Sequence, residues 1–222
     1  MNNEEKKKNK VAQLLDESEN IAVMSSKVAG LDAFCAGAAL YHVLKAKDKP
    51  VTFIYPGKVP EGGDDLVSEG DVTKDVTERD LIVSIDYSGS GASKVNYATD
   101  NGILNIKIGP VSPTYSEEGK IRSQIRGFSF DTIFTIGAQN LYDLGKAYQN
   151  LDKSTKVAKI VNLDITDRND RFGLIDIVDP MVNSLSLLLF QHLTSWELTP
   201  NEKSAEAILR GIKSKELPYK EG

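Results

Sequence analysis

Short apolar runs separated by stretches of helical period constrain this chain more than any other feature. Ile21–Met24, Val51–Tyr55, Leu81–Ile85, Phe130–Ile136, Val157–Leu163 and Leu174–Val178 each read as a strand with little or no solvated face. A strand of that kind needs cover on both sides, which a mainly parallel sheet between two helical layers provides. The segments between the runs supply the helices. Lys6–Ser18 places Val11, Leu14 and Leu15 on one face, and Asp32–Lys47 repeats Phe34, Ala38, Tyr41 and Leu44 at helical spacing. Leu141–Gln149, Ser184–Trp196 and Glu202–Ser214 complete the set. One region breaks the pattern. Lys94–Thr99 and Ile103–Ile108 alternate apolar and polar residues around Asp100-Asn101-Gly102, the signature of an antiparallel hairpin. The expectation is an α/β fold with helices on both faces of a mainly parallel sheet and an antiparallel hairpin excursion.

The totals exclude some functions. A chain of 222 residues with 40% hydrophobic and 27% charged residues can bury a substantial core in one large domain, with or without an appendage. Its net charge of -5 argues against non-specific binding to nucleic acid, which draws on a basic face. A small phosphorylated ligand in a local pocket stays compatible with that charge. The single cysteine, Cys35, precludes an intrachain disulfide, and its apolar helical setting suits packing. The opening MNNEEKKKNK lacks the apolar core of a signal peptide, and no apolar stretch approaches membrane-spanning length. A cytoplasmic protein without a membrane partner is expected.

In open α/β sheets, ligands collect beyond the carboxyl ends of the strands. Three aspartates fall at such places: Asp32 past the first strand, Asp86 after LIVSI, and Asp164 within VNLDITDRNDRFG (Val161–Gly173). Three carboxylates on one rim suit Mg²⁺ or Mn²⁺, hard cations that activate water for phosphoryl hydrolysis. Each aspartate could equally cap a helix or anchor a turn. Lys27 lies just before the second helix, where an anion would meet a cation and free helix N–H groups, so it is the candidate phosphate contact. SGSGAS (Ser88–Ser93) reads as a turn leading into the hairpin. His42 and His192 sit inside amphipathic helices and read as packed or surface residues, and Trp196 ends an apolar helix and reads as core.

Four segments resemble the RecJ-like DHH phosphoesterases, the family of nanoRNases and 3′-phosphoadenosine-5′-phosphate phosphatases. They are LDAFCAGAALYHVLKAKDKPV (Leu31–Val51), DLIVSIDYSGS (Asp80–Ser90), VNLDITDRNDRFG with IVDPMVNSLS (Ile177–Ser186), and SAEAILRGIKSK (Ser204–Lys215). The likeness runs from about Asn20 to Lys215, and it implies the DHH α/β fold. It also implies losses. Where the family's first motif reads His-x-x-x-Asp-x-Asp, the matching positions hold Ser26, Gly30 and Asp32. The second motif's aspartate matches Asp86. The Asp-His-His motif matches Asp164, Ile165 and Thr166, so both imidazoles are missing. A later aspartate matches Lys215, and a glutamate common after the DPMVNSLS segment matches Leu187. Asp167, Arg168 and Asp170 are the local residues from which a substitute site could be built.

The domain expected from this resemblance covers residues 1–198. Residues 199–222 would form a C-terminal helix and tail, in place of the small substrate-binding domain that follows in active members. The leading expectation is a degenerate, catalytically inactive DHH-like domain with no resident cofactor, serving as a binding or assembly module. It would keep some affinity for a nucleotide or phosphate and would meet a second copy, a DHH-family protein or another protein. The alternative is an atypical phosphoesterase acting on short oligonucleotides or nucleotide phosphates, with Mg²⁺ or Mn²⁺ held by Asp32, Asp86 and Asp164.

Overall fold

Strand β1 (Ile21–Ser25) sorts its side chains onto two faces by the two-residue period of an extended chain. Ile21 and Val23 join one apolar cluster, and Ala22 and Met24 join another. In the computed structural model, residues 3–74, 76, 80–88, 94–116, 120–126, 130–152 and 158–216 are described. They fall into two compact units, Met1–Glu78 with Phe128–Gly222, and Arg79–Gly127.

The first unit contains α1 (Asn3–Glu17), β1, α2 (Gly30–Ala46), β2 (Val51–Ile54) and β3 (Val72–Thr73) before the second unit begins. After it come β8 (Thr132–Ile136), α3 (Gly145–Asp152), β9 (Lys159–Asp164), β10 (Ile175–Val178), α4 (Leu185–Leu193) and α5 (Glu202–Lys213). The six strands form one sheet in the order β10-β9-β8-β1-β2-β3, and each neighbouring pair is parallel. Parallel neighbours require crossovers; α2 supplies the one from β1 to β2 and α3 the one from β8 to β9. Residues of α1, α2, α4 and α5 cover the Ile21 and Val23 face, while Leu144 and Ala147 cover the Ala22 and Met24 face. Helices on both faces of a mainly parallel sheet are what the apolar runs call for.

Helix α2 is buried along almost its whole length, from Asp32 to Leu44. Small residues let its neighbours approach closely. A Cβ on Gly211 of α5 would come within 2.9 Å of Cys35 Cβ and 2.7 Å of Ser186 Cβ, so α5 seats on α2 and α4 only through a glycine. Arg210 ties the exposed side of α5 to Asp65 and to Glu206.

Element ends depart from the sequence pattern where local chemistry intervenes. The segment beginning at Leu141 opens as a 3₁₀ turn over Leu141–Leu144, capped by the Asn140 side chain, which accepts the Tyr142 N–H at 2.9 Å. Gly145, at φ +62°, then resets the backbone into α3. Helix α4 stops at Leu193 and tightens into a 3₁₀ turn over Thr194–Trp196.

The second unit holds two antiparallel pairs, β4 (Asp80–Ile85) with β7 (Ile121–Arg126) and β5 (Lys94–Asp100) with β6 (Ile103–Gly109). The β5–β6 pair is the hairpin its alternation predicts, closed at Asn101 and Gly102 with φ of +48° and +79°. Strand β4 corrects an expectation. LIVSI reads as a buried member of the parallel sheet, yet it pairs antiparallel with β7 and leaves Leu81 66% exposed. An apolar run specifies an extended chain but not its neighbour, and the partner sequence IRSQIR alternates too irregularly to announce itself as a strand. Gly89–Ser93 of the SGSGAS turn lie outside the described residues, as do Val157 and the tail from Leu217.

Candidate functional site

Three adjacent parallel strands bring their carboxyl ends to one rim. Ser26 follows β1 and donates its N–H to Ile136 O at 2.9 Å, and Gly137 follows β8 and donates to Leu163 O at 2.9 Å. Asp164 ends β9. The chain then leaves the rim through the loop into α2, the turn at Ala138–Asn140, and the segment from Ile165 to Gly173.

Asp32 stands in the first turn of α2 and is 1% exposed. Its carboxylate faces the start of α4. Oδ1 accepts the Ser184 hydroxyl at 2.9 Å and the Ser186 N–H at 3.0 Å, while Oδ2 accepts the Leu185 N–H at 2.7 Å. The first N–H groups of a helix have no partner within it and carry a partial positive charge, so a buried carboxylate there is both hydrogen-bonded and electrostatically favoured. Ser184 is itself the N-cap of α4, accepting the Leu187 N–H at 3.3 Å. Asp32 thus joins the first turn of α2, where it stands, to the N-terminus of α4.

Asp164 is 4% exposed. Oδ1 accepts the Ile165 N–H and Oδ2 the Asn169 Nδ2–H, both at 2.8 Å. Burial pushes its carboxyl above the usual aspartate range. The Asn169, Ile165 and Thr166 hydrogen bonds oppose that rise, and the nearby negative charge of Asp143 adds to it. Asn169 extends the network by donating to Ala138 O at 2.8 Å and accepting from Asn162 Nδ2 at 2.8 Å. Asn162 also accepts the Thr135 hydroxyl at 3.2 Å and donates to Asp176 Oδ1 at 3.0 Å. Every polar atom cited here is satisfied by protein, as burial demands. Asn162, Asn169 and Ser184 are organising residues that the sequence reading passed over. The signal available was the alternation Val161-Asn162-Leu163-Asp164, which sets two polar side chains on one face of an otherwise buried strand.

Gly137 occupies the middle of the rim, after the strand that lies between β1 and β9. Its φ is +69°, and a Cβ there would sit 2.7 Å from Ala29 Cβ and 2.7 Å from Leu185 Cδ1. No side chain, and hence no ligating side chain, fits between β1 and β9 unless α2 or α4 moves.

Asp86 does not join Asp32 and Asp164 in the first unit. It belongs to the second, beyond β4, where it is exposed and accepts the Ser88 N–H at 2.9 Å. Hydrogen bonds from Ser88 and the charges of Lys120 and Arg122 hold its carboxyl below the usual range. Lys27 is exposed, and its carbonyl accepts the Gly30 N–H at 3.3 Å. Asp167, Arg168 and Asp170 point into solvent, as does Lys215. His42 is buried with Nε2 2.6 Å from Leu66 O, and His192 stacks on Trp196, itself packed against Phe134.

Among the described residues, no three His, Cys, Asp or Glu side chains converge closely enough to hold a metal ion. Within the first unit the rim offers the carboxylates of Asp32 and Asp164, whereas a two-ion phosphoesterase centre uses several anionic or imidazole ligands around cations about 4 Å apart. No helix is long and apolar enough to cross a membrane among the described residues.

No protein-family model matches the sequence, and comparison with curated proteins gives no match. Among solved structures, the chain is similar to an exopolyphosphatase-related protein from Bacteroides fragilis, with a TM-score of 0.61 and 15% identity. The match covers 95% of this chain and 50% of that protein, so the chain spans about half the length of its structural relative. At that identity the likeness speaks for the backbone and not for the chemistry: this chain shares the α/β fold of that protein.

Proposed function

We propose that the first unit is a catalytically silent relative of the DHH phosphoesterases that acts as a binding or assembly module. The observation that carries this reading is the state of Asp32. Three protein donors already occupy its carboxylate, and they fix the start of α4. Asp164 supports it, since Asn169 and Ile165 hold both its oxygens and the positions after it carry Ile165 and Thr166 in place of imidazoles. A metal ion that displaced any of these donors would leave a buried polar group unpaired, at about 1–3 kcal/mol each, and the lone pairs left free on the two carboxylates are few. Any residual phosphate contact falls to Lys27, exposed ahead of α2.

Assays of hydrolysis test the reading. The chain is incubated with inorganic polyphosphate, a nucleotide phosphate or a short oligonucleotide in the presence of Mn²⁺ or Mg²⁺. No turnover above the metal-only background is expected. Turnover that is abolished in Asp164→Asn or Asp86→Asn would establish the active alternative instead. Phosphate titration of the wild type and Lys27→Ala separates a retained anion contact from none.

A further inference from the structure

The β5–β6 hairpin is solvent-exposed on both faces over most of its length, and its apolar residues are not hidden. Val95 is 66% exposed, Tyr97 80%, Leu104 57% and Ile106 47%. The register pairs Val95 with Ile108, Tyr97 with Ile106 and Thr99 with Leu104, so these six side chains share one face. A two-stranded sheet is marginal in water unless further strands or a helix support it, and a free edge invites another strand. Among the described residues no third strand joins this sheet.

The turn fixes which groups that edge offers. Positive φ at both Asn101 and Gly102 makes a tight two-residue hairpin turn, so Asp100 and Ile103 form the hydrogen-bonded pair that closes it. Pairs alternate from there, which turns the N–H and C=O groups of Val95, Tyr97 and Thr99 toward the outer edge of β5. A strand added in antiparallel sense must match those residues.

We propose that β5 pairs with β5 of a second copy of this chain, antiparallel about a two-fold axis at Tyr97. Only this register engages all three outward residues: Val95 meets Thr99 of the partner subunit, Tyr97 meets its own counterpart, and Thr99 meets Val95 of the partner subunit. The same register sets Lys94 opposite Asp100 of the partner subunit, and symmetry repeats that pair at the other end. The strand is thus charge-complementary to itself at both ends, and its interior has no charge to oppose. The apolar stripes of two hairpins merge into one sheet ordered β6-β5-β5-β6, an isologous interface of the kind closed dimers use.

Sedimentation of the full chain at stepped concentrations tests the pairing, with circular dichroism as the folding control for variants at these exposed positions. The wild type is expected to dimerise reversibly. Lys94→Asp sets like charges opposite each other at both ends and should weaken the dimer at least about tenfold. Adding Asp100→Lys to that variant restores opposite charges and should restore the dimer. A monomeric wild type overturns the proposal, and so does a dimer indifferent to Lys94→Asp or one that the double exchange fails to rescue.

Discussion

Asp32 and Ser184 stand 152 residues apart in the chain, yet the Ser184 hydroxyl donates to Asp32 Oδ1 across 2.9 Å in the core. That contact, with the Leu185 and Ser186 N–H groups on the same carboxylate, locks the first turn of α2 to the first turn of α4. An acid that reads as a metal ligand in sequence has a structural occupation.

Removing that carboxylate should therefore be costly. Asp32→Ala leaves the Ser184 hydroxyl and two buried N–H groups without their acceptor, and the expected loss is about 2–4 kcal/mol in urea unfolding. A residue held only for ligand binding would behave oppositely, since deleting an idle buried charge is neutral or stabilising.

Two glycines with left-handed backbones separate conformational strain from crowding. A Cβ at Gly30, φ +68°, meets nothing within 4 Å, whereas one at Gly137 strikes Ala29 and Leu185. Gly30→Ala should cost about 1 kcal/mol through backbone strain alone. Gly137→Ala should cost about 2–4 kcal/mol, because α2 and α4 must also shift. Equal losses in thermal or urea unfolding would contradict the close approach at the rim.

Much of this frame was legible in the sequence because burial leaves a strong pattern. IAVM, VTFI and TIFTI are strands free of charged side chains, and Asp100-Asn101-Gly102 supplies turn chemistry with few alternatives. The partner of an extended segment was not legible. LIVSI is equally apolar whether it enters the parallel sheet or pairs with IRSQIR. The role of Asp32 was hidden for a related reason: its position at a helix start is local, but the donors that occupy it arrive from Ser184–Ser186.

Asp164 gives a pH signature. Burial raises its folded pKa above the ordinary aspartate value, so between the two values the unfolded chain has already released a proton that the folded chain keeps. Stability then falls as pH rises across that window. The contribution is full below the ordinary value and is lost as pH climbs through the raised one. Asp164→Asn lacks the titrating group, so the wild type should lose stability relative to the variant across this interval. A difference that is flat with pH, or grows in favour of the wild type, contradicts burial as the dominant influence.

Cys35 offers a probe of the core between α2 and α5. It is fully buried, and burial pushes its thiol up to about 12. Ellman's reagent should modify it only as fast as the protein unfolds, with the rate rising in urea alongside the loss of ellipticity. Rapid modification of the native chain would show that the α2–α5 seam opens locally.

Calorimetric titration of the native chain with Mn²⁺ goes most directly to the claim that the carboxylates of the rim are already committed to protein donors. The expected isotherm shows no saturable site, and Asp32→Asn and Asp164→Asn leave it unchanged. Tight binding of two ions per chain, lost in those variants, would contradict the account.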